Sequence, residues 1–325
     1  MKVLILGGGG FLGQKLAQAL AARGHLAGGS IEALTLADIV TPPPVEAPFP
    51  VHALALDIAD AGATHALLGQ GFQVVYHLAA VVSGQAEAEF DTGLGVNLHG
   101  ALNVFEGARR VGNTPVVVFA SSLAVFGGPC PEPIHDWSAL TPQTSYGAQK
   151  AAAELLLTDY ARKGFLDGRG LRLPTITVRP GTPNKAASSF LSSIFREPLQ
   201  GQEAVCPVAP EFQNWVLSPR RCIANLIHGA EVEPAALGAL RCFSLPGLGV
   251  SVAEMIAAME RVAGPEPGQR IRWERDPAIE AIVGDWKVRF EPTHALSLGF
   301  EADDSFEDNI RYFLADDRIP QEAHP

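Results

Sequence analysis

The chain has 325 residues, of which 47% are hydrophobic and 18% charged, enough apolar material for two domains or for one large domain with an added lobe. Its 24 Lys and Arg against 35 Asp and Glu give a formal net charge of -11, which argues against a nucleic-acid binder because such a surface repels phosphates. Four widely spaced cysteines without a C-x-x-C pair indicate no disulfide scaffold and no zinc ribbon, and we expect no bound metal. Lacking a signal-peptide core or a membrane span, the sequence predicts a soluble cytoplasmic protein that does not bind membranes.

The first half alternates short apolar runs with longer helical patterns. The runs are rich in Val, Ile and Leu without polar alternation, as in strands buried on both faces of a parallel sheet. The predicted strands are Lys2–Leu6, Ala33–Ala37, Val51–Leu56, Gln73–His77, Pro115–Ala120 and Leu173–Arg179. The predicted helices are Phe11–Arg23, Ala61–Leu68, Glu87–Val111 and Tyr146–Lys163. This alternation predicts an α/β fold with a Rossmann-type, doubly wound parallel sheet.

After Arg179 the alternation stops, and Pro and Gly recur irregularly from the turn cluster Pro180–Asn184 onward. Helical patterns return at Pro219–Ala230, Val252–Val262 and Phe306–Phe313. We interpret this half as a smaller, mixed α/β C-terminal lobe. The predicted boundaries are residues 1–181 for the first domain, with the segment at about 212–240 returning to it, and 182–325 mainly for the lobe.

A glycine-rich turn follows the first predicted strand. Gly7, Gly10 and Gly13 lie at G-x-x-G-x-x-G spacing before a helical pattern. A dinucleotide-binding turn needs glycine at the tight bend, where the backbone meets the pyrophosphate, and where the helix packs on the strand. We expect the amides of Phe11 and Leu12, at the helix N-terminus, to point at the phosphates. A flexible glycine run is the alternative interpretation.

Asp38, at the end of the next predicted strand, indicates which dinucleotide binds. A carboxylate there accepts hydrogen bonds from both ribose hydroxyls of the adenosine and repels a 2′-phosphate, so NAD is favoured over NADP. Asp38 follows Gly7 by 31 residues, against about 20 in the usual fingerprint. We attribute the excess to an inserted loop at Ala27–Ser30. The alternative is a polar strand end without a function.

Tyr146 and Lys150 are four residues apart in a predicted helix and therefore lie on one face of it. A free tyrosine has a pKa near 10, too high for a base at neutral pH. A nearby ammonium group, together with the positive nicotinamide ring, favours the phenolate and lowers that pKa. Taken alone, the pattern also fits a solvent-facing pair without a function.

The residues around this pair resemble the extended short-chain dehydrogenase/reductase family. The similarity follows the family's order through the glycine turn, Asp38, Leu56–Ile58, His77–Ala80, Val96–Asn97, Ser121–Gly127 and the Tyr146/Lys150 pair. It implies that Ser122 hydrogen-bonds the substrate, Tyr146 is the catalytic acid/base and Lys150 contacts the cofactor ribose. Phe126 stands where the family usually has tyrosine, outside this catalytic trio.

The same resemblance implies further cofactor contacts. These are Asp57 and Ile58 at the adenine, Leu78, Ala79 and Ala80 along the cofactor, Asn97 behind the site, and Pro180. A residue that merely starts a helix is the alternative for Asn97. We interpret His77 as a packed histidine at a strand end rather than as a base.

The second half resembles one branch of that family, the bacterial D-erythronate dehydrogenases, over residues 178–190, 194–199, 201–204 and 215–219. This implies NAD-dependent oxidation of the C2 hydroxyl of a small sugar acid, most specifically D-erythronate to 2-dehydro-D-erythronate. Tyr146 takes the hydroxyl proton while the C2 hydride passes to NAD. The alternatives are a nucleoside-diphosphate-sugar 4-epimerase with retained NAD, in which Arg220 and Arg221 hold the pyrophosphate, a uronate dehydrogenase, and a non-catalytic NAD sensor.

A sugar-acid substrate needs a cation or several donors for its carboxylate, and a bidentate arginine has the best geometry. We predict Arg196 for this role, with Ser83 and Thr182 as neutral donors. An ion pair with Glu197 is the alternative for Arg196, and Arg179 is interpreted as structural.

The resemblance also implies a homodimer. Its interface would be a four-helix packing of Glu87–Val111 and Tyr146–Lys163 from both chains, which their Ala- and Leu-rich faces permit.

Overall fold

The computed structural model describes residues 1–182 and 187–317. Its strands are β1 (Lys2–Leu6), β2 (His25–Leu26), β3 (Gly29–Ser30), β4 (Ala33–Asp38), β5 (Val51–Ala55), β6 (Val74–His77), β7 (Val116–Ser122), β8 (Ile134–His135), β9 (Asp167–Leu173), β10 (Thr175–Ile176), β11 (Ala204–Cys206), β12 (Gln213–Leu217), β13 (Cys242–Ser244), β14 (Leu248–Ser251), β15 (Ile271–Trp273) and β16 (Phe290–Glu291).

Its helices are α1 (Phe11–Arg23), α2 (Ala61–Leu68), α3 (Ser83–Ala88), α4 (Phe90–Gly93), α5 (Ala101–Val111), α6 (Ser145–Arg162), α7 (Phe190–Leu199), α8 (Pro219–Glu231), α9 (Pro234–Leu237), α10 (Val252–Ala263), α11 (Pro277–Val283), α12 (Thr293–Ser297) and α13 (Phe306–Asp316). A π-helical turn at Leu94–Gly100 leads into α5, and 3₁₀ turns lie at Leu123–Val125, Ala187–Ser189 and Gly268–Arg270. No helix of the described residues is long and apolar enough to cross a bilayer.

A seven-stranded parallel sheet forms the centre, in the order β13-β9-β7-β6-β1-β4-β5. From β1 the chain first builds outward through β4 and β5, then returns to β6 on the other side of β1 and continues outward. Ligands of open α/β sheets bind at such a reversal, beyond the carboxyl ends of the strands. The predicted doubly wound fold is confirmed, and it places the candidate site between the ends of β1, β4 and β6.

Buried apolar side chains cover both faces of this sheet. Along β1, Val3 and Ile5 join a core with α1 and α8, whereas Leu4 and Leu6 join a core with α2, α5 and α6. A third core, built by α7, α10 and α13, belongs to the second half of the chain. The second half therefore supplies α8 and β13 to the main sheet region as well as a core of its own. The domain boundaries at residues 181 and 182 stay a prediction.

The predicted strand Leu173–Arg179 is wrong. The strand in the main sheet is β9, which ends at Leu173, and β10 leaves that sheet to pair with β12 in a three-stranded sheet. Gly and Arg residues obscured β9 in the sequence. Gly168 and Gly170 allow close packing, since a Cβ on Gly168 would come within 2.8 Å of Leu157 Cδ1, and Arg169 is buried in an ion pair with Asp167.

The single predicted helix Glu87–Val111 is also wrong, because the segment forms α3, α4, the π-helical turn and α5 in succession. Glycines near the two ends of the π-helical turn allow close packing, since a Cβ on Gly93 would come within 2.9 Å of Ala86 Cβ and one on Gly100 within 2.8 Å of the Ile58 side chain. The predicted loop at Ala27–Ser30 belongs to a hairpin of β2 and β3, with φ of 48° at Ala27 and 74° at Gly28 in its turn.

Candidate active site

The glycine turn lies between the end of β1 and the start of α1. The amides of Gly7 and Gly8 both donate to the carbonyl of Ala37 in β4, at 2.8 and 3.1 Å. Gly7 has a φ of 85°, and a Cβ there would come within 2.6 Å of the Ala79 amide nitrogen. A Cβ on Gly13 would overlap the carbonyl oxygen of Gly7. Packing within the protein therefore requires glycine at positions 7 and 13.

Gly10 differs from these two glycines because the protein's own packing does not require it. Its φ of -71° and ψ of 162° are open to any residue, and an added Cβ would meet only the Gly7 carbonyl oxygen, at 3.4 Å. Helix α1 starts at the next residue, with no acidic residue in its first turn and no capping side chain from the described residues. Gly10 therefore leaves the main chain accessible beside an uncapped helix N-terminus. A pyrophosphate group fits there, with the amides of Phe11 and Leu12 as hydrogen-bond donors.

Asp38, the last residue of β4, lies directly beside this turn. Its Oδ2 accepts the amide of Gly9 at 2.9 Å, and its Oδ1 accepts the amide of Ile39 at 2.7 Å. The carboxylate is half-buried, and each oxygen keeps a further lone pair for a ribose hydroxyl. This geometry fits the adenosine of NAD and leaves a 2′-phosphate facing a negative charge.

The segment Leu78–Ala80 leaves β6 at the same edge of the sheet. The amides of Leu78 and Ala79 both donate to the carbonyl of Leu6, at 2.9 and 3.0 Å. These bonds hold the segment against Gly7, so that it forms the second wall of the predicted cofactor cleft.

Three further residues predicted to contact the cofactor lie near this edge or behind it. Asp57 is exposed, whereas Ile58 is only 5% exposed and belongs to the core, so of the two only Asp57 presents its side chain at the surface. Asn97 lies in the π-helical turn, 2% exposed. Its Oδ1 accepts the amide of Val81 at 2.8 Å and its Nδ2 donates to the Val81 carbonyl at 3.1 Å. Asn97 thus fixes the main chain of Val81, which directly follows the Leu78–Ala80 wall of the predicted cofactor cleft.

The predicted catalytic trio comes together at the carboxyl end of β7. Ser122 is the last residue of that strand, and its hydroxyl accepts the amide of Ala124 at 3.1 Å. The same hydroxyl lowers the pKa of Tyr146, which lies in the first turn of α6. Lys150 lies one turn further on, with Nζ 5.7 Å from the centre of the Tyr146 ring. The ammonium donates to the carbonyl of Ala120 at 2.8 Å and is 1% exposed.

Local packing explains how α6 reaches this position. The hydroxyl of Thr144 accepts the amide of Gly147 at 3.1 Å and caps the helix. A Cβ on Gly147 would overlap the carbonyl oxygen of Ala124, so the glycine lets α6 lie directly on the turn after β7.

Burial dominates the protonation of the trio in the chain itself. Burial raises the pKa of Tyr146 to about 12, although the Ser122 hydrogen bond and the charge of Arg179 lower it. Burial likewise lowers the pKa of Lys150 to about 7, and the charge of Glu154 opposes that change. The sequence predicts that Lys150 lowers the pKa of Tyr146, but in the chain alone the effect of burial is larger. A further positive charge is therefore needed to favour the phenolate.

His77 lies beneath the trio and is not a base. Burial and the charge of Lys150 lower its pKa to about 3, so the imidazole is neutral. Its ring packs against Phe119 with 5.3 Å between centroids. This agrees with a packed histidine at a strand end.

A buried polar network that was not predicted from the sequence lies behind Lys150. Glu154, one turn along α6, accepts the hydroxyl of Ser121 at 2.5 Å and the Arg172 guanidinium at 2.8 Å. The side chains of Arg172 and Glu154 are only 6% and 2% exposed. The i, i+4, i+8 spacing of Tyr146, Lys150 and Glu154 on one helix face was the available signal.

This network predicts unequal effects for two arginine variants. We expect Arg172→Met to lower the free energy of unfolding by about 3–5 kcal/mol, because it leaves the Glu154 carboxylate buried and unpaired. The control is Arg162→Met, which breaks an exposed ion pair with Asp159 in the same helix and should cost about 1 kcal/mol or less. Denaturant titrations of both variants check this, and equal small losses would contradict it.

The other residues predicted to contact substrate differ in exposure. Ser83 begins α3 and is half-buried, and Thr182 is exposed at the last described residue before the gap. Pro180, predicted to contact the cofactor, is half-buried. Pro183 and Asn184, also part of the predicted turn cluster, lie outside the described residues. Arg196 is buried in α7, and its Nη2 pairs with Glu197 at 2.6 Å, which is the ion pair that the sequence left as the alternative.

Comparisons with known proteins show which family the chain resembles. Residues 3–214 match the model of the NAD dependent epimerase/dehydratase family. The chain is 49% identical to a D-erythronate dehydrogenase of Cupriavidus necator over 97% of this chain and 98% of that protein. It is 43% identical to a D-erythronate dehydrogenase of Haemophilus influenzae over 97% of this chain and 99% of that protein.

A solved structure has the same fold over nearly its whole length. It is described as a nucleoside-diphosphate-sugar epimerase from Agrobacterium tumefaciens, and it superposes with a TM-score of 0.93 at 45% identity, covering 97% of this chain and 94% of that one. The segment that matches the family model, residues 3–214, includes the glycine turn and the trio. The chain therefore belongs to the NAD dependent epimerase/dehydratase family.

Proposed function

We propose that this protein is an NAD-dependent dehydrogenase that oxidises the C2 hydroxyl of D-erythronate, a small sugar acid, to 2-dehydro-D-erythronate. One observation carries the proposal: the trio Ser122, Tyr146 and Lys150 is assembled beside a dinucleotide cleft, in a chain 49% identical over 97% of its length to a D-erythronate dehydrogenase.

In this proposal the trio holds the substrate hydroxyl and moves its proton. Ser122 and Tyr146 bind the C2 hydroxyl, and Tyr146, as the phenolate, accepts the proton. Lys150 binds the cofactor ribose and supplies positive charge near the phenolate. NAD, when bound, provides the acceptor for the hydride that leaves C2.

The proposed cofactor site uses the main chain of the glycine turn and residues around it, among which Ile58 would contribute its main chain because its side chain belongs to the core. Its members are Gly7, Gly10, Phe11, Leu12, Gly13, Asp38, Asp57, Ile58, Leu78, Ala79, Ala80, Asn97, Tyr146, Lys150 and Pro180. Ser83 and Thr182 are the proposed neutral donors to the substrate.

The arginines required by the epimerase alternative are already paired. Arg220 forms an ion pair with Asp316 at 2.6 Å and stacks on Tyr312, and Arg221 pairs with Glu301. Each guanidinium thus has a carboxylate partner, so neither is an unpaired cation available to bind a nucleotide pyrophosphate. This favours a small acid as the substrate.

A substrate panel tests the proposal. The purified protein is assayed for NADH formation with D-erythronate, D-glycerate, D-glucuronate and UDP-glucose. We expect D-erythronate to have the highest kcat/KM and NAD to be preferred over NADP because of Asp38. Faster oxidation of the uronate, or 4-epimerisation of UDP-glucose without added NAD, would reject the proposal in favour of the corresponding alternative.

We also propose that the protein acts in the cytoplasm as a homodimer, with helices α3–α6 at the interface. Two apolar side chains on these helices support this because they face solvent in the isolated chain. Phe90 is 55% exposed and Leu155 69% exposed.

A further inference from the structure

Arg179 differs from the other arginines that the protein encloses. In the part of the chain that the structure describes, three arginines have side chains that are almost fully buried, and each has a carboxylate partner: Arg169 pairs with Asp167, Arg172 with Glu154, and Arg196 with Glu197. Arg179 is half-buried, its Nε is fully enclosed, and no carboxylate among residues 1–182 and 187–317 pairs with it. An enclosed guanidinium without a counter-charge is unfavourable unless a ligand supplies one.

The Arg179 side chain is held in place by α7 and the turn before it. Its Nη2 donates to the hydroxyl of Ser188 at 2.6 Å, and its main-chain amide donates to the hydroxyl of Ser192 at 3.0 Å. Its carbonyl accepts Nη1 of Arg196 at 3.0 Å. The Arg196 guanidinium therefore lies beside the main chain of Arg179, and its charge lowers the pKa of the Arg179 side chain. Glu197 pairs with Arg196 and not with Arg179.

The chain that carries Arg179 starts beside the trio. Leu173, the last residue of β9, pairs with Ser122 of β7, and Arg179 follows six residues later. The charge of Arg179 lowers the pKa of Tyr146. Burial and the charge of Arg196 lower the pKa of Arg179 to about 10, and an anion beside the guanidinium would raise that pKa.

The position of this cation selects the substrate by chemistry. In a 2-hydroxy acid, the carboxylate carbon is bonded directly to the carbon that carries the reacting hydroxyl. A cation for that carboxylate must therefore adjoin the tyrosine that binds the hydroxyl. Arg179 meets this requirement, and its planar guanidinium suits a carboxylate.

We propose that Arg179 binds the carboxylate of the substrate and so restricts the enzyme to acids whose carboxylate adjoins the reacting carbon. The proposal rests on the proposed function. Arg196 then acts as a positioning residue, because its donors are used by Glu197, Ser193 and the carbonyl of Arg179.

Binding of an acid and its neutral analogue tests this role. Calorimetry with the NADH-loaded protein, in which no oxidation takes place, compares D-erythronate with D-erythronamide. We expect Arg179→Gln to weaken the binding of D-erythronate at least about 100-fold. The binding of D-erythronamide should weaken less than about threefold, because the amide carries no charge. Arg179→Lys keeps the charge but loses the planar fork, so about tenfold weakening is expected. Arg162→Gln, an exposed arginine of α6, is the control and should match the wild type.

Each other outcome is decisive. Unchanged D-erythronate affinity in Arg179→Gln overturns the proposal, and so does an equal loss for the acid and the amide, which would mark a structural role. Thermal unfolding and NADH affinity show that the variant is folded. If the wild type oxidises no 2-hydroxy acid, the proposed function fails. Arg179-dependent binding of D-erythronate or glycolate would then still support the carboxylate site, and its absence would overturn it.

Discussion

Replacing Tyr146 with phenylalanine should reduce kcat for D-erythronate oxidation about 1,000-fold, within the range expected for loss of a general base. The variant removes only the oxygen that accepts the substrate proton. The ring that lies 5.7 Å from Lys150 Nζ is retained, so the affinity for NAD should stay within about threefold of the wild type.

The pH dependence supplies a second measurement on the same residue. Burial raises the pKa of Tyr146 to about 12 in the chain alone, so the phenol keeps its proton at neutral pH. The deprotonated form is the active base, and wild-type oxidation should therefore increase as the pH rises from neutral and decrease as it falls. Tyr312→Phe, on the surface beside Arg220, is the control and should keep wild-type activity. More than a tenth of wild-type kcat in Tyr146→Phe would reject the assigned role.

Gly13→Ala should abolish measurable NAD binding at micromolar protein and lower the free energy of unfolding by about 1–3 kcal/mol. The new methyl group would overlap the carbonyl oxygen of Gly7 and lie 2.9 Å from the Cα of Gly8. Both obstacles are backbone atoms, which cannot rotate away as a side chain would. Helix α1 must therefore shift from the turn, which removes its N-terminus from the phosphate position.

Two matched glycine variants separate packing from cofactor binding. Gly10→Ala should leave stability near that of the wild type, since only one atom lies as close as 3.4 Å to the added Cβ. The same variant should weaken NAD binding about tenfold or more, because the methyl group would occupy the space where the pyrophosphate approaches the main chain. Gly95→Ala, which meets no atom within 4 Å, should change neither property. Calorimetric NAD titration and thermal unfolding measure both effects. Normal NAD affinity in Gly13→Ala would contradict the cofactor site.

Local sequence patterns predicted the elements that depend on few partners. The strand β1 and the helix α1 were confirmed with their exact bounds, since an apolar run, a glycine turn and an amphipathic helix are specified within about 20 residues. The strand β9 was missed because its buried Arg169 and two glycines are stabilised by contacts with Asp167, Leu157 and Cys242 rather than by an apolar pattern.

The sequence by itself predicted the family and the cofactor class, which the comparisons confirm, and it indicated the trio Ser122, Tyr146 and Lys150 as the proposed catalytic residues. All three depend on short motifs whose spacing sets their geometry. Only the tertiary structure decided which arginine is available to an anion. Arg172 pairs with Glu154, eighteen residues earlier in the chain, and Arg196 pairs with the adjacent Glu197. Arg179, which the sequence left as structural, has no such partner among the described residues. Pairing of charges depends on distances in the folded chain, and so it cannot be read from spacing alone.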